Sequence, residues 1–366
     1  MMVEPQYSTP LPSSEDDHLN SYQEVAGIFI NHPHFERVYR EVSAVLLNGI
    51  DSDEAACLHV SGPPGVGKTT LRRKLASEFA LVRDGRVFES SPGIEVKADY
   101  VPLIQIELPE RPTVKTICRE ILRAYGDGQW RRGDEYCLTD RVDKYIQACG
   151  TIGILIDEAQ RVVDRQGVVV AEHLFDWFKS RHSRNGVAII LLGLGRLRYL
   201  FEQDSQIERR WDAELRILPY RWRLKDGRDD ITQQNQFMGI LATFKDMCPI
   251  PFEVDVTDDA IAYKFFYASQ GVIGNLKKLL KRAVRTAALE PERHGAVTEG
   301  LLYDSFELAF RRDLHSMENP FCSTFSFGAP PALDDDTILR PSPRVRSSRK
   351  ARAAQKAAVN YALTQE

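Results

Sequence analysis

Nowhere does this 366-residue chain approach the roughly 20 consecutive apolar residues that a membrane-spanning helix needs. Its opening stretch, MMVEPQYSTPLPSSEDDHLNS, is polar, acidic and rich in Pro and Ser, so no signal peptide, lipid anchor or membrane partner is expected. Cysteine is sparse. Cys57, Cys118, Cys137, Cys149, Cys248 and Cys322 form no CxxC pair, which argues against a zinc cage or a small disulfide scaffold and for reduced, mostly buried thiols in a cytoplasm. Neither sign of charge dominates: 48 Lys and Arg stand against 52 Asp and Glu, a net of -4. A wholly basic nucleic-acid coat is thereby excluded, and any polyanion site must be a local patch. No internal repeat of about 20 to 50 residues is visible, which sets solenoids and propellers aside. What is present, 43% hydrophobic and 27% charged residues, is the balance of a globular protein of about two domains.

Residues 1–20 have no periodic apolar positions and carry Pro5, Pro10 and Pro12, so a disordered N-terminal arm is expected. Residues 21–224 read as one α/β unit. In it Phe35, Val38, Tyr39, Val42 and Leu46 recur at helical spacing, and Cys57 to Val60 is a short apolar strand that runs into a Gly/Pro turn and a helix from Thr69. Further apolar runs at 101–108, 152–156 and 187–192, with a fifth strand at 214–218, are separated by helical patterns at 113–126, 140–150 and 171–182. Strands interleaved with helices predict a parallel sheet flanked by helices. From 225 to 318 strands largely stop, and four successive helical patterns predict a small all-α lid domain. Residues 319–366 turn to Phe, Ser, Gly and Pro and then to a basic run holding Arg340, Arg344, Arg346, Arg349, Lys350, Arg352 and Lys356. A flexible basic tail that contacts a partner or DNA is the expectation there.

The turn after the first strand, Gly62, Pro63, Pro64, Gly65, Val66, Gly67, Lys68, Thr69, satisfies GxxxxGK[ST] between a strand and a helix. Glycines let the backbone turn its N–H groups toward phosphate oxygens, Lys68 brings a point charge to the β and γ phosphates, and the Thr69 hydroxyl suits Mg²⁺ better than Thr70 does. ATP with Mg²⁺ is the implied ligand pair. Farther on, the element Gly153-Ile-Leu-Ile-Asp157-Glu158-Ala-Gln160 is an apolar strand ending in two carboxylates. Asp157 at the strand's end is placed to coordinate Mg²⁺ beside Thr69, and Glu158 to orient and deprotonate an attacking water.

Transfer of a phosphoryl group also calls for a cation on the developing charge. Gln206-Ile-Glu-Arg209-Arg210-Trp211 is the best source, as an arginine finger from a neighbouring subunit, with a solvated charge cluster as the other reading. In the helical unit, Gly274-Asn-Leu-Lys277 opens a basic amphipathic helix. Lys277 suits a sensor of the γ-phosphate; the same stretch, with Lys278, Lys281, Arg282 and Arg285, also reads as the second helix of a helix-turn-helix or as a solvated face. For duplex DNA, Lys115, Arg119 and Arg123 recur at i, i+4 and i+8, followed by Arg131 and Arg132, and suit the wall of a DNA-threading bore. A solvated helix face remains the competing reading.

In this order the elements resemble an AAA+ ATPase, and within that superfamily the TnsC/TniB group of transposition regulators. The likeness is carried by GPPGVGKTTL (62–71), ILIDEAQRVVD (154–164), ILLGLGRLRYLFEQDSQIERRW (190–211) and GVIGNLKKLLKRA (271–283), and spans residues 30–315. The resemblance implies a bacterial ATP-dependent switch that oligomerises on double-stranded DNA as a ring or filament of six or seven subunits per turn. It further implies that the switch takes its target from a TniQ-type protein and activates a TnsA/TnsB-type transposase. One departure stands out: the fourth strand ends Leu192-Gly193-Leu194-Gly195, where many AAA+ proteins place a polar residue that holds the lytic water. Slow or partner-stimulated turnover is therefore expected. A helicase loader or replication initiator, and a nucleotide-gated scaffold with little turnover, are the alternatives.

Overall fold

The computed structural model of the chain describes residues 24–25, 27–48, 57–91, 94–162, 168–198, 214–290, 295–310, 317–331 and 333. Five short strands form a parallel sheet: β1 (Cys57–Ser61), β4 (Leu103–Glu107), β5 (Gly153–Asp157), β6 (Ala188–Gly193) and β7 (Glu214–Arg216), in the spatial order β4-β5-β6-β1-β7. Their apolar residues alternate between two cores, as the two-residue period of a strand requires. Ile104, Ile106, Ile154, Ile156, Ile189 and Leu191 face one side with α3 (Val114–Ala124), α4 (Glu135–Cys149) and α5 (Val168–Asn185). Leu58, Val60, Leu155, Ile190 and Leu192 face the other, against α1 (Pro33–Asn48) and α2 (Lys68–Glu78). A sheet covered on both faces explains why these strands read as continuous apolar runs.

Among the described residues four helices make the helical region expected as a lid: α6 (Ile231–Met247), α7 (Asp259–Ser269), α8 (Ile273–Leu289) and α9 (Glu299–Ala309). Polar side chains start three of them: Asp230, Asp258 and Thr298 each accept an N–H of the first turn, a cap worth about 1 kcal/mol. Two segments join the lid core from outside the helical unit. Val25 and Ile28, grouped by sequence with the α/β unit, are buried among the lid's Phe237, Phe266 and Leu276. Residues 317–331, at the start of the segment expected as a tail, pack on α7: Phe321 and Phe325 are buried, and the Tyr263 hydroxyl donates to the Gly328 carbonyl at 2.8 Å. The arm at 1–20 and the basic run at 340–356 lie outside the described residues.

An antiparallel hairpin, β2 (Val82–Ser91) with β3 (Ile94–Tyr100), leads into β4 and lies against α4. It is absent from the sequence reading. Its apolar residues Val82, Val87 and Val96 are exposed, so they add no signal of a buried face, although the Pro92-Gly93 pair between two β-rich runs is a turn signal. Among the described residues no helix is long and apolar enough to cross a membrane.

Where lid, sheet and α1 meet, aromatic groups enclose a histidine. His32 is buried, its Nδ1 is 3.2 Å from the Tyr220 hydroxyl, and His34 stacks on the same tyrosine ring at 4.5 Å. Desolvation, reinforced by the charge of His34, holds the His32 pKa down at about 4. The folded protein therefore keeps this imidazole neutral while an unfolded chain protonates it near pH 6.5. Stability tied to His32 is full above that pH and is lost as pH falls from 6.5 toward 4, on the order of 3 kcal/mol in all. Urea titrations at several pH values should show a shallower acid loss for His32→Phe than for the unaltered chain; equal slopes would rule this out.

Candidate nucleotide site

The carboxyl ends of β5, β6 and β1 lie side by side at one sheet edge, with Ser61 opposite Gly193 in the register. In open α/β sheets ligands bind at that edge. The Gly62–Thr69 turn leaves β1 there and enters α2. Gly65 and Gly67 have φ of 83° and 118°, left-handed conformations that bend the turn into a cradle, and no side chain caps the start of the helix. The first N–H groups of α2 thus remain available for an anion, at the positive end of the helix dipole. Leu71 and Leu75, each 0% exposed, anchor α2 against the sheet, and burying each contributes roughly 1.5–3 kcal/mol. Val66 fills the floor of the turn at 3% exposure. Lys68 arches back over the cradle, its Nζ donating to the carbonyls of Gly62 at 2.5 Å and Pro63 at 2.8 Å. Thr69 is exposed and Thr70 half-buried.

Asp157 ends β5 facing α2. Its Oδ2 accepts from Arg72 Nη1 at 3.1 Å, and its Oδ1 from the Glu158 backbone N–H at 2.9 Å. Arg72 follows Thr69 by three residues, one helical turn, so hydroxyl and carboxylate sit on one side of the cradle. Arg72 was not among the residues the sequence singled out, since only the folded chain brings it to Asp157. Among the described residues no cluster of three or more His, Cys, Asp or Glu side chains could hold a metal ion. Thr69 with Asp157 is instead the sparse donor set that suits Mg²⁺, which shares its coordination with substrate phosphates.

Glu158 has a φ of 60°, uncommon for a residue with a side chain and costing on the order of 1–3 kcal/mol. Its carboxylate accepts from Gln160 Nε2 at 2.6 Å and lies 3.9 Å from Arg161 Nε. Arg161 is itself held by Glu107 Oε1 at 2.6 Å. The lid reaches the cradle through its backbone: the Gly274 N–H at the start of α8 donates to the Gly65 carbonyl at 2.9 Å. A Cβ on Gly274 would sit 2.5 Å from that oxygen, so only glycine permits the contact. Lys277, expected as a phosphate sensor, donates from Nζ to the Ile28 carbonyl at 2.7 Å. Burial pulls its pKa down, and the charges of Lys281 and Arg73 add to the effect. Lys278 lies 4.4 Å over the Phe310 ring. Arg209 and Arg210 lie outside the described residues.

The five basic residues of the DNA reading come together. After α3 the chain returns beside it: Arg119 Nη2 donates to the Arg131 carbonyl at 3.0 Å, and Asp134, whose pKa is lowered chiefly by hydrogen bonds from Cys137, is lowered further by the charge of Lys115. The Trp130 ring carries Arg131 at 4.5 Å and Arg123 at 5.9 Å, cation–π contacts that fix both guanidinium groups. Arg131 and Arg132 are exposed, and Arg141 Nη1 holds the Arg132 carbonyl at 2.9 Å. Arg123 also pairs with Glu120 at 2.5 Å, so these cations share a surface of mixed charge.

Residues 51–201 match the family model of the AAA domain. Among solved structures, the chain is similar to the Aeropyrum pernix ORC2 protein in ADPNP–ADP complexes, at 17% identity over 78% of this chain and 71% of that one, with a TM-score of 0.50. It is also similar to the Aeropyrum pernix ORC1 protein in complex with DNA, at 17% identity over 80% and 69%, with a TM-score of 0.52. No curated protein matches the sequence. The strand order, the cradle after β1 and these likenesses agree: the chain has the AAA+ P-loop fold, a five-stranded parallel sheet flanked by helices and followed by a helical region.

Proposed function

We propose that the chain is an ATP-hydrolysing switch that assembles on double-stranded DNA and regulates transposition, joining a TniQ-type targeting protein to a TnsA/TnsB-type transposase. The observation that carries its nucleotide half is the convergence of Lys68, Thr69, Asp157 and Glu158 on one sheet edge. There the cradle N–H groups and Lys68 bind the triphosphate. Thr69 and Asp157 hold Mg²⁺, whose charge offsets that of the phosphates. Glu158 takes the proton of the attacking water. Arg209 or Arg210 of an adjoining subunit supplies the further cation, and Lys277 follows the lid's position relative to the nucleotide. An apolar end to β6 keeps hydrolysis slow, which suits a timer.

The DNA half is supported by the grouping of Lys115, Arg119, Arg123, Arg131 and Arg132 beside one another, and the transposition half by the stretches that resemble the TnsC/TniB group. A second reading, a replication initiator or helicase loader, is favoured by the fold shared with the DNA-bound ORC1 protein. Both readings need DNA affinity with little sequence preference. Every phosphate that a cation neutralises adds about 0.9 to the steepness of log affinity against log salt. Arg131→Ala with Arg132→Ala should therefore reduce that slope by roughly 1 to 2 in anisotropy titrations with ATP, whatever the duplex sequence. An unchanged slope would move the DNA surface elsewhere. Stimulation of phosphate release and assembly by a transposase and TniQ-type protein encoded beside the chain separates the first reading from the second.

A further inference from the structure

The end of β6 carries no polar side chain, yet the space beside it holds a polar group from the neighbouring strand. Gln160 reaches across from the turn after β5 and is 4% exposed. It uses both ends of its amide: Oε1 accepts from the Leu194 N–H at 3.1 Å, and Nε2 donates to Glu158 Oε2 at 2.6 Å. A backbone amide can only donate and a carboxylate only accept, so this pair of neighbours admits one orientation of the amide. A Cβ built on Gly193 would lie 2.9 Å from Gln160 Oε1, so the glycine leaves room for the glutamine. The backbone fixes the arrangement further, since the Ala159 N–H donates to the Leu192 carbonyl at 2.9 Å.

Glu158 needs such a hold. Its side chain is 43% exposed, and its cationic neighbour Arg161 stands 3.9 Å away. Resting on the ATPase reading above, we infer that Gln160 is the positioning residue of the hydrolytic step. From the turn after β5 it fixes the Glu158 carboxylate to the end of β6. It acts through Glu158 and touches no reacting atom.

The test uses the full chain with Mg–ATP and duplex DNA, measuring steady-state phosphate release, ATP affinity by calorimetry and Tm. Gln160→Ala should lower kcat roughly 10- to 100-fold, because the base is no longer held in line, while ATP affinity and KM change by less than about twofold. Adding Gly193→Asn should restore much of the loss, since removing the glutamine opens the volume that an asparagine on β6 would enter. A merely structural glutamine would instead give parallel losses in Tm, affinity and kcat, with no recovery in the double variant, and that pattern overturns the assignment. So does an unaltered kcat in Gln160→Ala, which leaves the ATPase reading intact. Should the unaltered chain bind ATP yet release no more phosphate than Glu158→Gln, the hydrolysis reading falls and the role of Gln160 with it.

Discussion

Replacing Lys68 by alanine should all but abolish binding of Mg–ATP, and with it any nucleotide-dependent assembly on DNA. Lys68 stands at the first position of α2, and its ammonium lies over the cradle at the carbonyls of Gly62 and Pro63. Hydrogen bonds to charged groups contribute about 1.5–3 kcal/mol each, so losing two to a triphosphate weakens affinity by roughly 10²- to 10⁴-fold. Alanine is the best helix former, and Leu71 and Leu75 still anchor α2, so the fold should survive. Calorimetry with Mg–ATP, alongside Tm, separates these effects. Tight binding by a folded Lys68→Ala chain would remove the nucleotide from every function proposed here.

Glu158→Gln should give the opposite phenotype, with binding retained and turnover lost. The substitution keeps size and leaves Asp157, Thr69 and Lys68 untouched, but a neutral amide cannot take a proton from water. General-base catalysis is worth about 10²- to 10⁴-fold, so steady-state phosphate release should fall by that factor while ATP affinity holds. On duplex DNA the ATP-bound assembly should then persist far longer than with the unaltered chain, as seen by electron microscopy or by dissociation after dilution. Unchanged release would take the role of base away from Glu158.

Both variants address residues legible in the sequence, because the P-loop and the Asp-Glu strand end are fixed by chemistry at fixed spacing. The strands were equally legible: a sheet buried on both faces leaves apolar runs, and Ile154 to Ile156 is one of them. What escaped depends on proximity created by folding. Arg72 sits one turn from a motif position and Gln160 closes the Asp-Glu-Ala-Gln stretch itself, but their partners, Asp157 and the Leu194 N–H, belong to other elements. Val25 and Ile28 carry no motif of their own in the sequence, and their place in the lid core follows from packing against residues more than 200 positions away, such as Phe237. The β2–β3 hairpin escaped for a different reason, since exposed valines on both strands give no buried alternation to detect.

The bond between the Gly274 N–H and the Gly65 carbonyl makes the tilt of the lid and the curvature of the phosphate loop a single mechanical coordinate. Levering α8 outward withdraws a donor from the backbone of the cradle. A pull on the helical region alone is thereby passed to the backbone of the Gly62–Thr69 turn.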